Sequence, residues 1–182
     1  MMEELALNIM DIIQNSLAAG ASRVEVEIEE DHSRDLLVIR VRDNGRGMAP
    51  HEARSAQDPF YTTKRDGKVG LGIPLFKEAA EHCDGFFSML SEPGRGTTIE
   101  AGFRLSHIDR PPLGEVADTL LVLMVANPQV DFQVRYRGDG EFRIDTREVK
   151  EMLGDMPLTT PEVLRFLKEY VEKGLNEVRR AI

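Results

Sequence analysis

The strongest constraint on the fold comes from residues 5–21, LALNIMDIIQNSLAAGA, where two stripes of residues recur at helical spacing. The apolar stripe, at steps of three or four, predicts a helix with one face buried in a core. A polar stripe runs beside it on the same cylinder. The apolar residues are Leu5, Ile9, Ile12 and Ile13, and the polar residues are Glu4, Asn8, Asp11 and Asn15. The sequence therefore predicts a helix that joins the core and also presents polar groups beside it.

Two polar residues of this helix form a candidate metal-binding pair. Asparagine is a poor helix former, so a role other than helix propensity is expected for Asn15. Its amide oxygen and the carboxylate of Asp11, one turn earlier, are an oxygen pair suited to Mg²⁺ or to its water ligands. From this helix alone, solvation of both side chains is the favoured interpretation. The motifs that follow along the chain shift the balance towards the metal.

Composition limits the class of protein. The chain has 182 residues, of which 41% are hydrophobic and 30% charged, as in an ordinary soluble protein with one sizeable core or two small ones. No apolar run is long enough to cross a bilayer, and no secretory signal is visible. Cys83 is the single cysteine, which excludes an internal disulfide and a cysteine-based zinc site. We expect a cytoplasmic location and no membrane partner.

The charge balance argues against one kind of partner and leaves another open. A net charge of −9 argues against a nucleic-acid surface, which normally needs a clustered basic face. It does not argue against a phosphate ligand, because a local site can be positive on an acidic protein. The four histidines, His32, His51, His82 and His107, stand in contexts where surface structural roles are the default.

Two predicted strands lead into a glycine-containing motif. Residues 23–29 and 36–42 alternate between apolar and polar side chains, which predicts a β-hairpin with one buried face. The second strand runs directly into DNGRGM at residues 43–48. Gly45 and Gly47 permit backbone angles, or a close approach of a flat ligand, that a Cβ atom would prevent. Taken alone, the motif is equally well explained as a plain turn.

A long segment without periodicity follows at residues 49–69. A loop of this length inside a compact domain is often a lid or a binding loop. It contains DPFYTTK at residues 58–64, in which Lys64 is either a phosphate ligand or a solvated loop lysine. The sequence GLG at residues 70–72 then precedes a predicted helix. Backbone N–H groups at such a helix start can point at an anion.

The rest of the chain predicts further strands and a C-terminal α/β region. Residues 85–91 and 97–105 are predicted strands, joined by a turn over residues 92–96. Beyond a proline-containing segment, the sequence predicts a helix over residues 116–126 and a hairpin over residues 130–144. A final helix is predicted from Pro161 onward. This C-terminal region docks on the preceding part, pairs two subunits or recognises a partner, or it only completes the core.

In this order and spacing, the motifs resemble the ATP-binding (Bergerat, or GHKL) fold of sensor histidine kinases, DNA gyrase B, MutL-type mismatch-repair proteins and a heat-shock chaperone. The resemblance implies an α+β fold: a two-layer α/β sandwich with a mixed sheet and helices on one face, plus a small C-terminal α/β appendage. It also implies a division into an ATP-binding domain at residues 1–106, a linker at 107–114 and a C-terminal region of unknown role at 115–182.

The resemblance further implies ATP and Mg²⁺ as cofactors. Asn15 would hold Mg²⁺ against the triphosphate, and Asp43 would accept a hydrogen bond from the adenine amine, with Thr97 beside it near the base. A carboxylate that faces this amine selects adenine over guanine, which lacks a donor at that position. Lys64 belongs to the lid motif. The remaining implied nucleotide-binding residues are Gly45, Gly47, Met48, Gly70, Leu71 and Gly72.

Departures from the family pattern bear on the reaction. Asp11, the candidate catalytic residue, stands where the ATP-hydrolysing branch places a Glu that activates water and where kinases often have Asn. Aspartate is one methylene shorter than Glu, so a contact with a magnesium-bound water is expected ahead of a role as general base. Lys68 and Val69 occupy positions where kinases usually have Gly and a small residue, which affects the lid. Ala18 replaces a residue that is polar in both branches.

Two functions of different classes follow as hypotheses. The first is a stand-alone protein kinase that uses Mg·ATP to phosphorylate an unidentified partner protein in trans, because the lid is kinase-like and no acceptor-histidine helix is seen ahead of the nucleotide domain. The second is an ATP-gated binding module or slow ATPase, in which lid closure changes a homodimer or partner interface. A third is ATP binding without turnover. Of the three, we favour the kinase.

Overall fold

The computed structural model of the protein describes residues 4–60 and 70–179. Over these residues the chain forms a six-stranded mixed sheet with helices packed against it, which confirms the predicted α+β class. The strands are β1 (Arg23–Asp31), β2 (Leu36–Asp43), β3 (Phe86–Glu92), β4 (Gly96–Arg104), β5 (Asp131–Arg137) and β6 (Glu141–Asp145). The helices are α1 (Leu5–Ala18), α2 (Pro50–Ser55), α3 (Gly72–His82), α4 (Val116–Ala126), α5 (Thr146–Leu153) and α6 (Pro161–Arg179).

The strands follow the order β3-β4-β2-β1-β5-β6 across the sheet. Strands β3, β4, β2 and β1 are neighbours in this order, and each adjacent pair is antiparallel. In this arrangement Asp43, at the end of β2, lies opposite Thr97 on β4. Strand β5 joins the other side of β1 in parallel, with Val24 opposite Phe132, and β6 pairs antiparallel with β5. The C-terminal region therefore contributes strands to the same sheet as residues 1–106, and the division into two domains stays a prediction.

One face of the sheet is buried and the other is charged, as the alternating sequence predicts. Val24, Val26 and Ile28 of β1 are at most 1% exposed and pack into the core beneath the helices. On the opposite face, Arg40 of β2 donates to Glu27 of β1 at 2.7 Å and also bonds Glu100 of β4. Ion pairs between neighbouring strands thus cover the polar side of the pleat.

The predicted first helix is present, and its apolar stripe is the centre of the core. The four apolar stripe residues named above are at most 2% exposed. The helix ends at Ala18, followed by Gly20 with a φ of 75°, a left-handed conformation that glycine adopts without strain. At its start, the N–H groups of Leu5 and Ala6 donate to the carbonyls of Pro112 and Leu113, each at 2.9 Å. The predicted linker therefore satisfies backbone donors that a helix start leaves unpaired.

The prediction of a structureless loop over residues 49–69 is wrong for its first part. Residues Pro50–Ser55 form the short helix α2, with Pro50 at its first turn and the Glu52 carboxylate accepting the Ala49 N–H at 2.8 Å. Six residues with little apolar content carry no readable periodicity, which is why the sequence did not indicate a helix. Residues 61–69, which include most of the predicted lid motif, lie outside the described residues.

Candidate functional site

The centre of the candidate site is the Asp43 carboxylate, at the end of β2, which is only 8% exposed. Its Oδ1 accepts the N–H of Gly45 at 2.8 Å and the N–H of Thr97 at 3.3 Å. Its Oδ2 accepts the hydroxyl of Ser16 from α1 at 2.6 Å. A carboxylate has about four acceptor positions, two on each oxygen. Three donors therefore leave Oδ2 with one acceptor position for a ligand.

The turn after β2 is fixed by Asn44 and by the glycines of the DNGRGM motif. The Asn44 side-chain oxygen accepts hydrogen bonds from the N–H groups of Ser22 and Arg23, each at 2.9 Å. These hydrogen bonds hold the turn against the start of β1. Gly47 has a φ of 67°, and a Cβ atom there would lie 1.9 Å from the carbonyl oxygen of Glu92. Only glycine fits this close approach between the motif and the β3–β4 turn.

The β3–β4 turn is joined to the motif through Ser91. The Ser91 hydroxyl accepts the Met48 N–H at 2.8 Å and lies 2.8 Å from the Thr97 hydroxyl, which is next to Asp43. Ser91 and Thr97 are also paired residues in the β3–β4 ladder. The hydrogen bonds thus run without interruption from Met48 through Ser91 and Thr97 to the Asp43 carboxylate.

These groups line a cleft of about 340 Å³ between α1, the end of the sheet and the start of α3. This volume is at the lower end of the range for small-molecule sites. Its apolar wall includes Ile12, Ala18, Ala19, Met48, Ala56, Ile73 and Ile99. Its polar and glycine lining is Asn15, Ser16, Asp43, Arg46, Gly47, Glu52, Gly70 and Thr97. An apolar slot with a few convergent polar groups suits a flat, partly polar ring.

Asp11 and the start of α3 meet beside the cleft, which Gly70 and Ile73 line. A Cβ atom on Gly72 would lie 2.9 Å from the Asp11 Cβ and 3.3 Å from its Oδ2, so α3 packs directly against this carboxylate. Leu71 is the N-cap of α3 and makes no side-chain cap hydrogen bond. Among the described residues, no N-cap side chain therefore occupies the backbone donors at the start of this helix.

Six of the predicted site residues line the cleft: Asn15, Asp43, Gly47, Met48, Gly70 and Thr97. Gly45 lies just behind it, with its N–H on Asp43. Asp11, Leu71 and Gly72 lie at the α1–α3 contact beside it. Lys64 lies outside the described residues. The structure thus brings the described candidates together around one cleft, and their individual roles stay predictions.

Two residues for which the sequence predicts no role, Ser16 and Ser91, contact Asp43 and Thr97 in the structure. Ser16 follows Ile12 by four residues, so it is a polar residue on the apolar stripe, and this is the signal that could have revealed it. Ser91 carries no such signal, because its contact with Thr97 depends on the register between β3 and β4. Cys83 is 1% exposed, and burial raises the pKa of its thiol, as expected for a structural cysteine.

Metal-binding clusters and membrane-spanning helices are both absent from the described part of the chain. Within residues 4–60 and 70–179, no three or more His, Cys, Asp and Glu side chains form a group that could hold a metal ion. In the same part of the chain, no helix is long and apolar enough to cross a membrane.

The sequence matches a known protein family. The profile of the family described as "Histidine kinase-, DNA gyrase B-, and HSP90-like ATPase" matches residues 1–107, more than half of the sequence. The chain belongs to this family. The matched part of this ATPase-family chain contains α1, the first four strands and every described residue of the cleft.

Curated relatives come from two branches of this ATPase family. The chain is 32% identical over 91 residues to sporulation kinase C of Bacillus subtilis, an alignment that covers 50% of this chain and 21% of the relative. It is 28% identical over 178 residues to the DNA mismatch repair protein MutL of Xanthomonas campestris, covering 75% of this chain and 28% of the relative. The chain thus spans less than a third of the length of these relatives.

Solved structures agree on the fold of this family member. The Aquifex aeolicus MutL ATPase domain, complexed with ADP, matches with a TM-score of 0.55 and 18% identity, over 84% of this chain and 70% of that chain. At this identity, the likeness concerns the fold alone. The mixed sheet with its helical layer is therefore the architecture of this ATPase family.

Proposed function

We propose that the cleft binds ATP with Mg²⁺, with the adenine amine on Asp43. The observation that carries this proposal is the single acceptor position left on Asp43 Oδ2 once Ser16, Gly45 and Thr97 have donated. An exocyclic amine is a donor and fills this position. Guanine presents a carbonyl oxygen at the equivalent place, and two acceptors would then face each other in a buried site.

The other end of the cleft suits a triphosphate. Asn15 lines the cleft, and Asp11 lies one turn away against Gly72. An amide oxygen, a nearby carboxylate, phosphate oxygens and water are the hard oxygen donors that Mg²⁺ prefers, so these residues fit the ion. The uncapped start of α3 adds backbone N–H donors and the positive end of a helix dipole for the phosphates. Lys64 is proposed as a further phosphate contact.

For the reaction, we propose that the protein is a kinase acting in trans on a partner protein. In this step the terminal phosphoryl group leaves ADP and bonds to a nucleophilic side chain of the partner. Support comes from the sporulation kinase C relative and from the lid sequence at residues 58–64. The short carboxylate at Asp11 also supports it, because a shorter side chain reaches less far towards an attacking water.

A second candidate function is an ATP-gated switch with slow hydrolysis. The observation in its favour is the contact of Asp11 with Gly72 at the start of α3, because the phosphates are proposed to lie near this helix start. The MutL relative, whose alignment covers 75% of this chain, supports the same candidate function. In this function, nucleotide binding changes a surface that meets a second copy or a partner.

Calorimetric titration with Mg·ATP tests the binding proposal. The parent protein is expected to bind, and Asp43→Ala to lose most of the affinity. Asp139→Ala, in the exposed β5–β6 turn, is the matched control and should bind like the parent. No binding by the parent, or equal binding by Asp43→Ala, would overturn the proposal.

Labelled ATP then separates the two reactions. Transfer of label from the γ-phosphate to a candidate partner protein supports the kinase, whereas release of free phosphate without protein labelling supports the switch. Asp11→Asn is expected to leave transfer largely intact if Asp11 only contacts a magnesium-bound water. A loss of phosphate release in this variant would assign Asp11 as the general base.

A further inference from the structure

Ser91 stands behind the cleft lining, yet it contacts two residues that line the cleft. It lies on β3, an edge strand of the sheet, and its side chain reaches the Met48 N–H and the Thr97 hydroxyl, each at 2.8 Å. Its hydroxyl also lies 3.3 Å from the carbonyl oxygen of Gly96. These contacts decide which way the Thr97 hydroxyl can point.

The Ser91 hydroxyl has one proton to donate, and two acceptors are within reach. Hydroxyl-to-oxygen hydrogen bonds are most often about 2.7–2.8 Å long, which matches the contact with Thr97 Oγ1 and not the 3.3 Å contact with Gly96 O. The Met48 N–H occupies a lone pair of Ser91. Either hydroxyl can donate across the 2.8 Å contact between Ser91 and Thr97. When Ser91 donates to Thr97 Oγ1, the proton of Thr97 is free to point into the cleft.

We propose that Ser91 is a positioning residue that sets base specificity by keeping the Thr97 hydroxyl a donor towards the ligand. This inference rests on the proposed ATP function, because it needs the adenine amine on Asp43. The Thr97 N–H lies 3.3 Å from Asp43 Oδ1, so the two side chains read neighbouring positions of one ring.

The proposed contacts at the 6-position and at N1 of the base have opposite hydrogen-bond polarity. Asp43 offers an acceptor, which fits the 6-amine of adenine. Thr97 offers a donor, which fits N1 of adenine, the ring nitrogen beside that amine. In guanine both are reversed, because the 6-position is a carbonyl and N1 carries a proton. Ser91 thus adds a second point of discrimination to the one that Asp43 supplies.

Selectivity separates this role from simple structural support. Removing the Ser91 hydroxyl also leaves the Met48 N–H without its partner, so affinity for every nucleotide falls. A merely structural role would lower all affinities by the same factor. A positioning role would instead change the preference between ligands that differ at N1 alone.

The experiment measures dissociation constants with Mg²⁺ for three probes: ATP, 1-deaza-ATP, in which N1 is a C–H, and purine riboside triphosphate, which lacks the 6-amine. The parent should prefer ATP to both analogues. In Ser91→Ala the preference for ATP over 1-deaza-ATP should fall by about three- to tenfold, the loss of one oriented hydrogen bond. Its preference for ATP over purine riboside triphosphate should stay as in the parent.

Two matched variants accompany this test. Ser91→Thr retains a hydroxyl and should keep the parent preference, and Ser88→Ala, exposed on the same strand, should behave like the parent throughout. If Ser91→Ala is unfolded by circular dichroism, Ser91→Cys replaces it, since a thiol is a weak donor.

The outcomes keep the two proposals apart. An unchanged ratio of ATP to 1-deaza-ATP in Ser91→Ala, or no such preference in the parent, overturns the inference while ATP binding stands. Failure of the parent to bind any of the three probes overturns the proposed function itself. A ratio that falls in Ser91→Ala and is restored in Ser91→Thr supports the positioning role.

Discussion

The Ser16 hydroxyl donates a 2.6 Å hydrogen bond to Asp43 Oδ2, joining the first helix to the end of β2 across 27 positions of the chain. Both residues are buried, at 3% and 8% exposure. A buried carboxylate needs such donors, because an ionised group without partners is costly to remove from water. The contact therefore contributes to stability and also fixes the oxygen that faces the cleft.

Ser16→Ala is expected to lower the free energy of unfolding by about 1–2 kcal/mol. Loss of a hydrogen bond to a charged group costs about 1.5–3 kcal/mol, and the better helix propensity of alanine offsets a few tenths of it. Urea denaturation measures the change. Gln14→Ala, exposed on the same helix, is the matched control and should be neutral or slightly stabilising. Equal stability of Ser16→Ala and the parent would contradict this account.

Asn8→Leu is expected to stabilise the protein by about 1–3 kcal/mol, the cost of a buried polar group without a partner. The Asn8 side chain is 0% exposed, and neither its amide nitrogen nor its oxygen has a hydrogen-bond partner among the described residues. Leucine is of similar size and has no polar atoms. Denaturation curves of Asn8→Leu and of the exposed control Gln14→Leu measure the difference. A loss of stability in Asn8→Leu would mean that the amide is paired in solution.

Gly47→Ala is expected to disrupt the site far more than Gly94→Ala. Both glycines have positive φ, 67° and 78°, so alanine brings a backbone cost of about 1–2 kcal/mol at either position. At Gly47 the new Cβ would also lie 1.9 Å from the Glu92 carbonyl oxygen, whereas at Gly94 nothing lies within 4 Å. Thermal unfolding and Mg·ATP titration of both variants test this. Equal effects at the two positions would show that backbone strain alone matters.

Acid should destabilise the parent partly through Asp35. The Ser106 hydroxyl, 2.6 Å away, and the Arg104 guanidinium hold the pKa of this carboxyl below its ordinary value of 3.8. Because the folded-state pKa is depressed, the stabilisation is complete above 3.8 and is lost as the pH falls through the folded-state value. Asp35→Asn should therefore be less stable than the parent at neutral pH and lose less on acidification.

Denaturation midpoints, measured from neutral pH to below 3.8, provide this comparison. Asp139→Asn, in the exposed β5–β6 turn, is the control and should follow the parent curve. Parallel curves for the parent and Asp35→Asn would rule out the contribution of Asp35.

Local patterns were sufficient for most of the elements. The stripe of α1 and the alternation of β1 and β2 are visible in the sequence because one face of each element is buried. Six of the cleft residues, among them Asp43 and Gly47, are predicted from the sequence motifs. The sequence does not predict helix α2, since six residues give too short a pattern to show a period.

Long-range placement could not be read in the same way. Nothing near Phe132 indicates that β5 pairs in parallel with β1, because that contact joins segments more than a hundred residues apart. The role of Ser91 likewise depends on strand register, which a single strand sequence does not specify. The sequence therefore predicts which side chains form the site better than it predicts what holds them in place.

The pairing of β5 with β1, together with the carbonyls of Pro112 and Leu113 on the start of α1, bears on how this chain can be engineered or recombined. A fragment cut at residue 106 would have β1 as a bare sheet margin, open to pairing with other chains, and would lose the two acceptors at the start of its first helix. We therefore expect the stretch matched by the family profile to depend on the C-terminal region for its stability in this protein.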